Sequence, residues 1–359
     1  MIAACLPGET VMQFGIFDHM DHAGGSLERQ FADRLRLMEA YDAAGFWGYH
    51  LAEHHSTPLG CASSPSVFLA AAAARTKKIR LGPLVFVLPF YNPLRLIEEI
   101  CMLDHLSGGR LQLGLGRGVS HFEAEFYGVD FEKTGAMYHE AFKLVIEGLT
   151  SEELNFEGKF YTHKHVPMIL RPLQRPHPPL WYATAYPDSA VWPAQNGINI
   201  VTLGHRAAIR AITDRYRAER AKAGKGAENF PMMGVTRHVV IADTDEAARK
   251  TANRAYKIWR DNFTWVWRKH EQDIDKLFPA LAGLYPATFD ELQERGNGIA
   301  GSPQTVRDYV AAEEKATGIN YLCSWLAFGD TTLEESLRSV ELFKREILPA
   351  FAPARAAAE

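Results

Sequence analysis

Eight short apolar segments, each followed by a longer stretch of helical periodicity, recur along this 359-residue chain. The segments cover residues 12–17, 47–52, 79–86, 110–116, 180–183, 198–202, 232–241 and 320–326, and each is long enough for one buried strand. Between the first two, Phe31, Leu35 and Met38 fall three to four residues apart, the stripe of a helix packed on a sheet, with Ser26 placed to cap it and Gly45 to stop it. Short strands alternating with helices are the pattern of parallel βα units joined by right-handed crossovers. Phe14, Leu51, Leu81, Leu113, Trp181, Ile200, Val235 and Leu322 are the expected members of eight successive strands. Eight such units predict a single closed (β/α)8 TIM barrel, which leaves no exposed sheet edge. The rival, an open doubly wound sheet, lacks its usual glycine-rich fingerprint after the first strand.

Two regions break the rhythm. The polar, proline-containing stretch 150–178 predicts an insertion after strand 4. After strand 7, a helix starting near Thr244 is expected to give way to irregular chain up to Gly301, with Trp259, Trp265 and Trp267 in its first part. A long loop there reads equally as an active-site lid or as an insertion packing its aromatics on the rim. The barrel is expected to span 12–348, with 349–359 a flexible C-terminal tail.

A hydrophobic share of 47% supplies the core, and a formal net charge of -4 gives no electrostatic case for nucleic acid. No stretch reaches the roughly 18 apolar residues of a membrane span, and no secretory leader is evident, so a cytoplasmic location is expected. The four cysteines, at 5, 61, 101 and 323, stand too far apart for a disulfide framework and read as isolated thiols.

In a barrel the loops after the strands share one chemical face. Glu53-His54-His55 closes strand 2, and histidine can hold or move a proton near neutral pH. On the residues alone, a catalytic role and a merely supporting hydrogen-bond role stand level. Adjacent histidines point apart on extended chain, and no spaced carboxylate set accompanies them, so no metal is expected. Gly114-Leu115-Gly116-Arg117-Gly118 closes strand 4; small residues admit a ring or phosphate and Arg117 supplies donors for an anion. Ser189 reads either as a phosphate contact or as an ordinary helix cap. Asp18, His19 and His22 read as polar loop, and Glu123, Glu125 and Asp130 as a charged helix start. Phe17, Trp181, Trp265 and Trp325, with His205 as a further contact, are candidates for an apolar substrate pocket; core packing is the stronger reading for Trp181 and Trp325.

The runs AGFWGYHLAEHHSTPLG and AAAARTKKIRLGPLVFVLPFYNPLRLIEEICMLDHLSGGRLQLGLGRG, then WPAQNGINIV, AGSPQTVRDYV, TGINYLC and LEESLRSVELFKREILP, resemble the bacterial luciferase-like flavin monooxygenases. The pattern is most similar to the alkanal monooxygenase α-type chain. The resemblance covers nearly the whole chain and implies a reduced-FMN- and O2-dependent monooxygenase working through a C4a-peroxyflavin. It places His54 at the family's catalytic histidine, supported by Glu53 and His55. It implies a cis peptide at Leu84-Val85 shaping the flavin cavity, and FMN phosphate held by Arg117, Tyr186 and Ser189. It further implies a small hydrophobic organic substrate, a separate NAD(P)H:flavin reductase and a homodimer. Ala185 and Gly116 stand where the light-emitting chain has an acidic residue and a reactive cysteine, which weakens light emission and long-chain aldehyde specificity as expectations. Two competing readings remain: a deazaflavin-dependent hydride-transfer oxidoreductase, and a noncatalytic flavin-binding or partner-stabilising subunit.

Overall fold

Alternate residues of a strand face opposite sides, and in this chain both sides are buried. The structure, a computed structural model, describes residues 11–225 and 229–352. Eight strands form its barrel: β1 (Gln13–Asp18), β2 (Gly48–Leu51), β3 (Arg80–Pro83), β4 (Leu113–Gly116), β5 (Leu180–Thr184), β6 (Asn199–Thr202), β7 (Met233–Ile241) and β8 (Tyr321–Trp325). Successive strands pair in parallel, and β8 pairs with β1. Between β3 and β4 the ring is completed by one parallel bridge, Leu81 to Leu111. Each of the eight residues expected to mark a strand lies in the strand assigned to it. Two short strands are additional: Phe86–Val87 beside β4, and Gly298–Gly301 beside the upper part of β7.

One set of alternate side chains, including Phe14, Ile16, Leu51, Leu81, Leu113, Val235 and Leu322, packs under the surrounding helices. The other set fills the barrel. Low in the interior, Trp181 donates its Nε1–H to Gln112 Oε1 at 3.0 Å and packs against His50 and Tyr321, whose own polar atoms meet at 2.9 Å. The floor is therefore a plug of packed aromatics, in which His50 Nδ1 alone of these polar atoms is left without a partner. Helix Leu27–Ala44 begins and ends as its sequence predicts: Ser26 Oγ accepts from the Arg29 amide, and Gly45 takes the left-handed φ of 93°.

The insertion after β4 is a hairpin, Glu153–Glu157 with Thr162–Pro167, whose turn hangs on the Glu140 carboxylate. It leads to Gln174, which is held by Asp104 near the C-terminal end of helix Pro93–Ser107, so it sits at the end of the barrel opposite the site. The region after β7 departs from expectation. Trp259, Trp265 and Trp267 lie not on irregular chain but on one 25-residue helix, Asp245–Lys269, and only the part beyond it breaks into short helices. At 1.5 Å per residue that helix is about 37 Å long, enough to cross the barrel mouth. Its Ala255 backbone lies against Gly329 after β8, Asn262 bonds the His22 carbonyl after β1, and Trp267 packs on Phe122 after β4. It is a roof.

The C-terminal chain also departs from expectation at its start. Leu348–Phe351 forms a helical turn, and Phe351 packs edge-on against Phe14 at 5.6 Å. The remainder of the expected tail, 353–359, lies outside the described residues, as does Cys5. Cys61, Cys101 and Cys323 are free thiols. Among the described residues no helix is long and apolar enough to cross a membrane.

Candidate active site

The roofed mouth collects the polar groups that close the strands. β2 ends inside the barrel wall, so the residues after it alternate between the chamber and the wall. His54 faces the chamber. Its Nδ1–H donates to Glu123 Oε1 at 3.0 Å, and the two side chains are 18% and 6% exposed. Gly60 makes room for this arrangement, since a Cβ there would sit 2.8 Å from the Cβ of His54. Burial acts to lower the basicity of His54, but the charge and hydrogen bond of Glu123 outweigh it, and His54 ends above its ordinary value of 6.5.

Glu53 and His55 face the other way. His55 Nε2–H donates to Glu53 Oε1 at 2.8 Å, and its Nδ1 accepts from the Tyr127 hydroxyl at 2.8 Å. The second Glu53 oxygen accepts from the Val87 amide and the Tyr91 hydroxyl. Burial pushes the Glu53 carboxyl up despite these donors. The three adjacent residues thus divide: His54 stands in the chamber, while Glu53 and His55 tie its loop to the chain after β3.

Two residues read in the sequence as ordinary belong to the same chamber. Glu123 follows Ser120 by three, a helix-start pattern, and Ser120 Oγ does accept the Glu123 amide at 3.3 Å. The carboxylate, however, turns to His54. His19, read as polar loop, lies with its ring centroid 5.4 Å from that of His54 and accepts the Nε1–H of Trp259 on Nδ1 at 3.1 Å. Only a histidine two strands away would have singled out Glu123, and sequence spacing does not report that.

On the β3–β5 side the peptide between Leu84 and Val85 is cis, as the resemblance implied. A Cβ on Gly116 would run into Val85, so the glycine lets this turn cross the end of β4. Arg117 follows. Among the described residues its guanidinium has no carboxylate partner and lies only over the Phe131 ring at 5.5 Å. At the end of the neighbouring β5, Tyr186 is 63% exposed and Ser189 Oγ donates to the Tyr186 carbonyl at 2.6 Å, also touching Thr184 Oγ1. Ser189 sits in the turn Pro187–Ala190 and does not cap a helix.

The expected apolar residues separate. Phe17 and Trp325 meet edge-to-face at 4.9 Å beneath the histidines. Trp181 belongs to the floor plug, as its packing reading held. Trp265 is on the solvent side of the roof helix, 37% exposed, and does not line the chamber, because the buried face of that helix carries Trp259, Phe263 and Trp267. His205 is exposed before helix Arg206–Lys222, outside the chamber proper. Among the described residues no group of three or more metal-ligating side chains converges.

The pairing of His54 with Glu123 gives a measurable titration. Glu123→Gln removes the charge that raises His54, so the His54 midpoint, followed by NMR of its ring protons, is expected to move to lower pH. In the wild type this pair stabilises the fold fully below the ordinary value of 6.5, and the contribution is lost as pH rises through the raised value. The variant is expected to lack that slope in its denaturation midpoints; an unmoved His54 midpoint would show that Glu123 does not control it.

The model of the family described as luciferase-like monooxygenase matches residues 12–320. An uncharacterized protein of Sinorhizobium fredii is 41% identical over 94% of this chain and 96% of its own length. The oxygenase component of a flavin-dependent trigonelline monooxygenase from Acinetobacter baylyi is 29% identical over 96% of this chain and 97% of its own. Among solved structures, the oxygenating constituent of 3,6-diketocamphane monooxygenase from Pseudomonas putida, a type II Baeyer-Villiger enzyme in complex with FMN, superposes with a TM-score of 0.80. It is 21% identical and covers 96% of this chain and 100% of its own.

Proposed function

Since the chain belongs to the luciferase-like monooxygenase family, we propose that it is the oxygenase of a two-component system, using reduced FMN and O2 to oxidise a small hydrophobic substrate. The observation that carries this reading is the conjunction, at one barrel mouth, of a protonatable His54 and an unpaired Arg117. Arg117 is exposed at the mouth and, among the described residues, has no carboxylate partner, so its guanidinium is free to take a phosphate, and Tyr186 and Ser189 in the turn after the next strand suit the same anion. Gly114 and Gly116 let the Leu84-Val85 turn pack directly on the end of β4, and that turn forms the wall of the proposed ring site. The residues fit a flavin mononucleotide.

Reduced flavin, when bound, supplies the electrons for oxygen activation. The chain's part is to bind, orient and enclose. Arg117, Tyr186 and Ser189 hold the phosphate, and Leu84 and Val85 shape the ring site. The roof helix excludes water. His54, whose basicity Glu123 raises, holds or delivers a proton at Nε2 within the chamber. Phe17 and Trp325 form the apolar floor for the substrate. A separate NAD(P)H:flavin reductase is part of the proposal, consistent with the Acinetobacter relative being named an oxygenase component. So is a homodimer, for which Val67, Met102 and Leu106 expose apolar surface on the adjoining helices Pro65–Arg75 and Pro93–Ser107.

Arg117→Ala is the test of the phosphate site. Loss of one charge-assisted contact, about 1.5–3 kcal/mol, is expected to weaken reduced-FMN binding roughly 10- to 100-fold in anaerobic titrations, with thermal stability unchanged. Unaltered affinity would remove Arg117 from the cofactor site.

A further inference from the structure

His54 is not the only histidine in the chamber, and the second is held in the opposite state. Trp259 Nε1 is an obligate donor, and it reaches His19 Nδ1 at 3.1 Å. The Nδ1 of His19 must therefore accept, which leaves the proton of a neutral imidazole on Nε2. Among the described residues that Nε2 has no partner. Around it stand Phe17 at 5.1 Å, Trp325 at 5.5 Å and His54 at 5.4 Å, ring to ring. This N–H stands in an aromatic chamber, and among the described residues no acceptor meets it.

We propose that His19 is a further substrate-contacting residue: fixed by Trp259 as the Nε2–H tautomer, it donates to the carbonyl oxygen of the organic substrate beside His54. The proposal deepens the monooxygenase reading and rests on it for the chamber being the substrate site. A neutral carbonyl is the fitting acceptor because His54 and Glu123 already balance each other's charge, leaving no net cation for a carboxylate. The donor that fixes His19 comes from the roof, so the substrate contact is complete only when helix Asp245–Lys269 lies across the mouth. Burial, with His54 and His238 nearby, also holds His19 well below the ordinary histidine range, in keeping with a neutral ring.

The first arm of the test needs no ligand. In histidine-15N-labelled protein at neutral pH, the signal that disappears in His19→Gln is expected to show a neutral ring protonated at Nε2. In Trp259→Phe the same ring is expected to become a mixture of tautomers. An Nδ1–H ring or an imidazolium in the wild type would overturn the proposal. The second arm uses the FMN-loaded protein and three probes of one shape: cyclohexanone, methylenecyclohexane and cyclohexanecarboxylate. Binding is read from the flavin difference spectrum. The ketone is expected to bind about fivefold to tenfold more tightly than the hydrocarbon, the worth of one buried hydrogen bond. His19→Ala is expected to abolish that preference, Trp259→Phe to reduce it, and His19→Gln, which keeps a donor, to retain part of it. Equal or absent binding of the three, preference for the carboxylate, or a preference that survives in His19→Ala would each refute the contact. Failure of the wild type to take up FMN would instead refute the cofactor reading, while the tautomer arm would still decide the state of His19.

Discussion

His54→Gln is expected to slow oxygen-dependent turnover by about 10²- to 10⁴-fold, the usual worth of a positioned proton donor or acceptor, while leaving reduced-FMN affinity unchanged. Glutamine is the sharper substitution than alanine. Its amide N–H can still donate to Glu123, which is only 6% exposed and would otherwise be left as a buried carboxylate without a partner. Glutamine cannot carry a proton. A large loss in both His54→Gln and His54→Ala, at equal thermal stability and equal flavin affinity, assigns the effect to proton chemistry. A His54→Gln protein as active as the wild type would reduce His54 to a packing residue. Activity is measured with the reductase present and the substrate that a ketone and terpene screen identifies.

Glu313→Ala is expected to destabilise the fold by about 3–5 kcal/mol. Arg237 on β7 and Glu313 on helix Pro303–Thr317 are 2% and 1% exposed, and their charged atoms meet at 2.7 Å. Removal of the carboxylate strands the guanidinium in a place water does not reach. Arg237 Nη2 also donates to the Gly204 carbonyl, so the loop after β6 loses its anchor. Arg206 contacts the same carboxylate at 2.7 Å but is 38% exposed, and Arg206→Ala is expected to cost less than about 1 kcal/mol. Denaturant midpoints decide between them. Comparable losses in the two variants would show that burial does not set the value of this pair.

The fold was legible because its signal is local and repeated. Every strand residue from Phe14 to Leu322 announced itself by an apolar run with a helix behind it, and caps such as Ser26 and Gly45 marked helix ends by residue type alone. The placing of His54 and Arg117 at one barrel mouth was legible because strand ends in a barrel converge. What stayed hidden depends on contacts across the mouth. Glu123, with Glu125 and Asp130, has the look of a charged helix start, and nothing in that local pattern shows that its carboxylate meets His54. His19 looked like loop polarity because its partner, Trp259, is 240 residues away. The tryptophans after β7 are expected on irregular chain because the region up to Gly301 is broken by Pro279, Gly283, Pro286, Gly296 and Gly298, but those breakers all lie beyond them. The buried stripe of Ala248, Ala252, Ala255, Trp259 and Val266 holds them on one helix. Trp265 was grouped with its neighbours by type, and helical geometry sends it to the opposite face.

The decisive experiment is rapid mixing of anaerobic protein, loaded with reduced FMN, against oxygenated buffer while the flavin spectrum is recorded. A transient with a spectrum belonging to neither reduced nor oxidised FMN, long-lived in the wild type and lost in His54→Gln, is the predicted result. Reoxidation in one step at the rate of free flavin, or an oxygen-inert reduced complex such as a hydride-transfer enzyme would give, would contradict oxygen activation at this site.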